Sequence, residues 1–513
     1  MSPRGPTSPC CDASPLRRVA CSRGCWREHV TVARAPMPRQ TAAWACHPCY
    51  GVTYPRRGVV LVAVLLVTVL VTMVAASLMF RMRAETASAG AEERGEQAYA
   101  AAVSGLQFAL AVLKVSSSDM ASWYDNPDIF QNQLVVDDGS NRWYFTIYGD
   151  DPTEQGTPRI GLTDEAGKIN LNTATPETLL SLKNMTTELV DCLIDYRDAD
   201  SDLRPEGAEQ EYYDGLRYPY VIPNGPLATV EEALLIKGFS GPVVYGEDAN
   251  FNGILDPNED DGDDTFPPDN RDGRLDRGLR ALGTVYSSEP SADSTGKPRI
   301  NINGETLTRV PGLSAQAAEF ILVYRAEGNQ FTHAVDLLEM RYQLKETHKE
   351  APYLKEGAWI ESGVKGDDLP LILDRLTVQA TERNRPVTGL VNVNTAPVEV
   401  LATLPGMDAN LAQQIVDLRR DLDPATKSTI AWLYTQNLLD AAAFKQVAPY
   451  LTARSFQFTA RCVGFGVPCG RYRVIEAVLD LSGSVPRLAY MRDISRLGLP
   501  FTLDPDLMQR THE

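Results

Sequence analysis

The chain has 513 residues, 43% hydrophobic and 23% charged. That composition excludes a wholly disordered protein and predicts about two to four domains. The formal net charge is −18 and is unevenly spread: residues 1–58 hold nine Arg against two acids, Asp12 and Glu28, while the remainder holds 40 basic and 65 acidic residues. So acidic a body is a poor partner for phosphate backbones. Five His without zinc-type spacing in the body argue against hydrolytic metal chemistry.

Six of nine Cys lie before residue 50: Cys10, Cys11, Cys21, Cys25, Cys46 and Cys49. With His47 their spacing admits zinc, but short motifs mislead often. Residues 1–58 therefore read as a basic leader or a start assigned too early, with Met37 one internal candidate. Val59 to Phe80 is 22 consecutive residues without a charge. At roughly 1.5 Å per residue this spans a hydrocarbon core of about 30 Å. No other segment is comparable, so the chain crosses a membrane once at most. Arg56 and Arg57 precede the run, and Arg81 and Arg83 follow it, so flanking charge orients it weakly. Ala75, Ala76 and Ser77 keep a Sec-type cut open as an alternative. From Ala84 to Lys114 the chain is rich in Ala, Glu and Gln, without Pro. Ala98, Ala102, Leu106, Ala109, Leu110 and Leu113 recur there at helical spacing. The spacing predicts one helical rod over 59–116, with the membrane part at 59–80.

Residues 117–168 begin a core, with an aromatic strand from Arg142 to Tyr148 that pairs with Arg159 to Thr163. A segment then occurs three times. It opens Ile169-Asn170-Leu171-Asn172-Thr173-Ala174, then Ile300-Asn301-Ile302-Asn303, then Val391-Asn392-Val393-Asn394-Thr395-Ala396. Leu-rich helical spacing follows each opening, at Leu179-Leu180-Leu182, Leu307-Val310 and Leu401-Leu404. Next come the turns Pro311-Gly312-Leu313 and Pro405-Gly406-Met407, with Asn184-Met185 at that place in the first copy. A second helix closes each time on Tyr196-Arg197, Tyr324-Arg325 or Leu418-Arg419. The repeats predict helical hairpins in 169–245, 300–390 and 391–450, followed by short helices around Val230–Ile236, Val335–Met340 and Ile430–Leu439.

Between the first two hairpins, residues 246–278 form an acidic loop. Eleven acids and two Arg lie between Glu247 and Asp276. Asp248, Asn250, Asn252, Gly253, Asp256 and Glu259 fit the D-x-N-x-N-G-x5-E calcium-loop pattern. A hard cation takes six to eight oxygens in typical sites, which short carboxylates and amides on a turning backbone supply. Ile254 would add its carbonyl. Asp269, Asp272 and Asp276 form a second, degenerate group for a second ion or a cover over the first. A solvated acidic linker is the bland alternative. The prediction is structural calcium that orders the loop.

Residues 279–299 are expected to return to the core sheet, with Val285-Tyr286 as a strand. Phe456–Val463, Tyr472–Leu481 and Arg487–Ile494 are strands of 451–502, the last two around the turn Gly483-Ser484. Cys462 and Cys469 are expected either to close a small disulfide loop or to stay free. Residues 503–513 are a tail. Strands at both ends with helices between predict an α+β fold: a long N-terminal transmembrane and amphipathic helix, an antiparallel sheet, and a large inserted α-helical domain.

Arg56-Arg57-Gly58 before the apolar helix resembles the type IV prepilin-like signal, which implies prepilin peptidase cleavage between Gly58 and Val59. That family usually has Glu at the fifth mature residue, where this chain has Ala63. The departure suits the minor pseudopilin K family of type II secretion systems. The run Asp164-Glu165-Ala166-Gly167-Lys168-Ile169-Asn170-Leu171-Asn172-Thr173-Ala174 resembles a motif of that family. The resemblance covers residues 58–240 and 280–500; the chain length and third repeat exceed a typical member. It implies a pilin-like sheet interrupted by a helical insertion and a single-pass inner-membrane protein with a periplasmic head. It also implies a place at the pseudopilus tip, initiating assembly and limiting growth. The implied partners are minor pseudopilins of the I, J and H types, the prepilin peptidase and the inner-membrane secretion platform. Relatives in the family bind calcium.

The Pro-Gly turns resemble the helix-hairpin-helix motif. Its DNA-binding form holds phosphate on backbone N–H groups at a helix N-terminus and has a second Gly, where Ser314 and Asp408 stand here. Asp408 would repel phosphate, so the hairpins read as packing units and no nucleic acid is expected. The alternative is a membrane-anchored DNA-binding protein of a DNA-uptake type. No nucleophile elbow, zincin or phosphate-loop motif occurs, so no enzyme is expected.

Overall fold

The computed structural model describes residues 57–150, 158–304, 310–346, 353, 355–378 and 386–503. The leader cysteines, Leu307, Arg309 and the end of the tail lie outside the described residues. The chain divides into a unit ending at Met79 and a unit beginning at Phe80.

Helix α1 is continuous over Arg57–Ser116. It is long and apolar enough to cross a membrane, and none of its most apolar stretch is buried. Within that stretch the Thr68 and Thr72 hydroxyls donate to Val64 O (3.0 Å) and Thr68 O (2.9 Å). Such internal bonds satisfy the hydroxyls without water.

In the second unit, six strands form an antiparallel sheet: β1 (Gln133–Asp137), β2 (Arg142–Tyr148), β3 (Thr163–Asp164), β4 (Gln457–Val467), β5 (Tyr472–Asp480) and β6 (Arg487–Asp493). Their order is β1-β2-β4-β5-β6, with β3 on the start of β4. Aromatic and β-branched residues of β2 alternate between the faces. Phe145 and Ile147 pack with Leu106, Ala109 and Leu113 of α1; Tyr144 and Tyr148 pack with Val463, Phe465 and Val474 on the other side. Gly464 sits where the helix crosses β4, and a Cβ there would collide with the α1 backbone at Ala98 and Ala102. Cys462 and Cys469 are free thiols, so no disulfide closes the loop between them. Cys462 is buried in the α1–sheet core, whereas Cys469 lies past the strand end against Gly466 O.

Two details of the strand reading change. Arg159 does bridge Gly149 at the end of β2, but Thr163–Asp164 pairs with β4. The reason is local: Glu165 accepts from Thr459 Oγ1 (2.7 Å) and Asp164 from Ser455 Oγ (2.5 Å), which ties this segment to the β4 side. Val285-Tyr286 is not a strand, and 279–299 does not enter the sheet. Gly283–Thr284 pairs in parallel with Ile169–Asn170, and Ser288–Glu289 pairs with Val387–Thr388.

The helical insertion lies between β3 and β4. The first and third hairpins share one core, built from residues such as Leu171, Leu193, Leu401, Ile415 and Trp432. The second hairpin has its own core around Ile302, Phe320, Ile321 and Ile372.

Candidate functional site

Each repeat opens with the same arrangement of two Asn. The first turns the chain: Asn170, Asn301 and Asn392 Oδ1 accept from the N–H two residues on, at 2.9, 2.8 and 3.0 Å. The second closes a long loop. Asn172 exchanges two bonds with the Leu227 backbone, and Asn303 exchanges two with Phe331. Asn394 donates to Lys427 O and Ala453 O, but its Oδ1 is buried without a partner among the described residues. Each opening strand then pairs in parallel with a downstream dipeptide: Gly283–Thr284, Leu376–Thr377 or Leu451–Thr452. The Arg that ends the hairpin reaches back to the opening. Arg197 donates to Leu171 O and Ala174 O; Arg419 donates to Val393 O (2.9 Å) and Ala396 O (2.7 Å). The constant Asn–Arg spacing in the first and third copies thus reflects one guanidinium clamping two carbonyls.

At the hairpin turns, Gly312 (φ +90°) and Gly406 (φ +79°) take the left-handed conformation, and Asn184 (φ +64°) does so in the first copy. Asn is the non-Gly residue that tolerates this region best. The following helices, Thr187–Arg197, Ala315–Ala326 and Ala409–Asp421, are capped by Thr186, Ser314 and Asp408. These side chains accept from the N–H groups of Leu189, Ala317 and Leu411 at 3.3, 3.1 and 2.8 Å. One amide that a phosphate would use is therefore held by the chain itself in all three copies.

The acidic loop docks on the sheet. Arg461 of β4 faces Glu476 of β5 directly in register. Its guanidinium bonds Glu476 (3.0 Å), Asp150 (2.5 Å) and Phe251 O (2.9 Å). Arg280 and Arg492 also pair with Glu476 and Glu231, and both lie over the Phe251 ring. Burial alone would raise Glu476, but Arg280, Arg461 and Arg492 outweigh it and hold its carboxyl far below the usual range.

Within the loop, Phe251 (φ +60°) and Gly253 (φ +71°) make the tight turn. Asp248 accepts from the N–H groups of Asn252 and Gly253, both at 3.1 Å. Glu259 accepts from Ala249 N (2.9 Å) and Asp256 N (3.0 Å). Asn250 and Asn252 donate to Asp256 at 2.7 and 3.1 Å, and Ile254 N donates to Asn252 Oδ1 (2.7 Å). Five of the six expected residues thus bring side-chain oxygens into one knot, and Ile254 joins it by its N–H. Asp248 and Glu259 are both buried, and neither has an ion pair among the described residues. Burial first, then repulsion from neighbouring acids, pushes Asp248 up to about 6 and Glu259 to about 7. Buried carboxyls in an all-oxygen donor set fit a hard divalent cation.

The second group is not gathered. Asp269 accepts from Asp261 N and Gly262 N, Asp276 pairs with Lys183 and Asn184, and among the described residues Asp272 accepts only from the local Arg274 N. Around Gly273 (φ +71°) the first turn is nevertheless repeated with outside help. Gly273 N donates to Asp260 (3.1 Å) as Gly253 N does to Asp248. Asp276 N donates to Glu247 (3.0 Å) as Asp256 N does to Glu259. Asp260 and Glu247 so take the first and last places of a loop whose own sequence lacks them, which is why linear spacing missed them.

Another cluster was missed outright. The oxygens of Asp198, Asp200 and Glu209 lie within 4.8 Å of one another. Glu209 is 8% exposed, and both its oxygens, like Asp198 Oδ1, lack a partner among the described residues. Burial raises the pKa of Asp198 and of Glu209, with Asp200 and Asp195 adding to it. The only sequence signal was Asp198-x-Asp200 with Glu209 nearby.

Gly58 and Val59, the expected cleavage pair, lie in the first turn of α1.

Residues 165–245 match the family model of Type II secretion system (T2SS), protein K. This segment is similar to a type II secretion protein K domain. It begins at Glu165 and holds the first hairpin and the Asp198 cluster, ending just before the acidic loop. Residues 388–452 match the helix-hairpin-helix motif and span the third repeat from its opening strand to its closing one. Among solved structures, the chain is similar to one described as the GspK-GspI-GspJ complex from the enterotoxigenic Escherichia coli Type 2 Secretion System. Identity is 14% over 80% of this chain and 99% of that chain, with a TM-score of 0.33. No curated protein sequence matches the chain.

Proposed function

We propose that this chain is a minor pseudopilin of the K type, a structural part of a secretion machine rather than an enzyme. The protein K domain at 165–245 carries the reading. The layout around it agrees: one apolar helix continuing into an amphipathic one, laid on an antiparallel sheet, with the K domain inserted between strands. In this reading the prepilin peptidase cuts between Gly58 and Val59, the helix anchors the chain once in the inner membrane, and the head lies in the periplasm. Ala63 in place of an acidic residue suits a subunit with none ahead of it, at the pseudopilus tip. There it would join the I, J and H minor pseudopilins on the secretion platform, initiate assembly and limit growth. Calcium would act as a structural cofactor held by Asp248, Asn250, Asn252, Ile254, Asp256 and Glu259. The clustered carboxylates of Asp198, Asp200 and Glu209, in which Asp198 Oδ1 and both Glu209 oxygens lack a partner among the described residues, are suited to a further ion.

Mass spectrometry of the mature N-terminus, from membranes with and without the prepilin peptidase, tests the reading. A chain beginning at methylated Val59 only when the peptidase is present is the expected result. A chain retaining 1–58, or cut near Ser77, would refute it.

A further inference from the structure

One groove runs against the charge of the whole molecule. It lies between the core segment around Tyr124 and Arg159, the end of the acidic loop, and the third hairpin, and has a volume of about 1250 Å³. Six cations line it: Arg159, Arg274, Arg277, Arg419, Arg420 and Lys427. Among the described residues two acids, Asp125 and Glu399, line it with them. Among the described residues the net excess is four positive charges, in a body where acids outnumber bases by 25 beyond residue 58.

Four of them, Arg274, Arg419, Arg420 and Lys427, are poorly neutralised among the described residues. Arg419 spends its donors on the carbonyls of Val393 and Ala396, and Lys427 donates to Arg419 O. Burial, reinforced by repulsion from Arg420, lowers Arg419 to about 10. Arg420 has a single long contact with Asp417 at 3.7 Å, on an exposed surface. Exposed Arg274 has no salt bridge among the described residues. The groove is also polar for a second reason. Asn394 lines it, and its Oδ1 lacks the backbone N–H that Asn172 and Asn303 each receive in the other repeats. In the third copy the Lys427 N–H turns instead to Asp423 O.

We infer that this groove is a docking site for an acidic, extended segment of a partner protein. Carboxylates at short spacing would meet the Arg fork geometry, and backbone amides add donors that a polyphosphate lacks. Nucleic acid fits worse. Its phosphates run on beyond any short groove into an acidic surface, Asp125 and Glu399 face it from inside, and the hairpin amide is already capped by Asp408. The inference is independent of the secretion reading, since it rests on the groove's charges alone.

The test uses the full chain in detergent with a fluorescein-labelled hexa-aspartate peptide, read by anisotropy at low salt. A 20-base-pair DNA duplex is the competing probe. Arg274→Glu with Arg420→Glu changes two exposed groove residues. Arg217→Glu with Arg341→Glu makes the same charge change on exposed residues outside the groove. The expected result is peptide binding that falls at least tenfold in the groove variant and less than twofold in the control. Absence of peptide binding, equal loss in both variants, or tighter groove-dependent binding of the duplex would each overturn the inference. The control variant also shows whether charge reversal alone unfolds the chain.

Discussion

Arg419 shows how a repeat can be held by one side chain. Its guanidinium bonds two backbone carbonyls at the opening of the third hairpin, 26 and 23 residues upstream. Removing it leaves both carbonyls short of a donor. Arg419→Ala should destabilise the chain by about 2 kcal/mol, whereas exposed Arg420→Ala should stay within about 0.5 kcal/mol. Urea unfolding of the two variants checks this; equal effects would refute the clamp. The sequence placed this Arg at a fixed distance from the second Asn. It did not show which atoms it reaches, because that depends on the hairpin turning back on itself.

At the scale of the element, the acidic loop is the most condition-dependent part. Without a cation, folded Asp248 and Glu259 hold their protons to about pH 6 and 7. In the unfolded chain such groups release theirs near pH 4. The folded state therefore binds more protons across that window, and stability falls as pH rises from about 4 to 7. Chelated protein should melt at a higher temperature at pH 5 than at pH 7.5. Calcium should reverse that order by removing the repulsion, adding about 2.7 kcal/mol at a hundredfold excess over Kd. Asp248→Asn with Glu259→Gln should flatten the pH profile and abolish the calcium response. Scanning calorimetry with and without chelator decides it, and a calcium response that survives the double variant would exclude this loop as the site. The first turn was legible because the residues that build it follow one another. The partners of the second turn, Asp260 and Glu247, were hidden because they come from outside it.

For the whole molecule, Asp164 is the junction. It accepts from Ala166 N, Asn392 Nδ2, Thr395 Oγ1 and Ser455 Oγ, and so joins the start of the insertion, the third hairpin and the approach to β4. Beside it Glu165 bonds Lys168, Thr284 and Thr459. The Asp-Glu pair just before the first repeat thus fastens the helical insertion to the sheet. Asp164→Ala leaves four donors without this acceptor and should cost about 3 kcal/mol. It should also open the linkers around the insertion to limited proteolysis, while the conservative Asp164→Asn, which keeps one acceptor, loses less. Unchanged proteolysis in both variants would mean the insertion is held elsewhere.

The sequence by itself determined the elements and their kinds. Uninterrupted apolar residues specify a membrane-length helix, period-two aromatics specify strands, and a thrice-written Asn pattern specifies hairpins. Each is a local rule, satisfied by neighbours a few residues apart. The tertiary structure decided what meets what. It put β3 on β4, left 279–299 outside the sheet, gave the first and third hairpins a common core, kept both late cysteines free, and gathered Asp198, Asp200 and Glu209. Those outcomes depend on buried hydrogen bonds and shared apolar surface between residues up to about 300 positions apart, and no local pattern encodes such pairings.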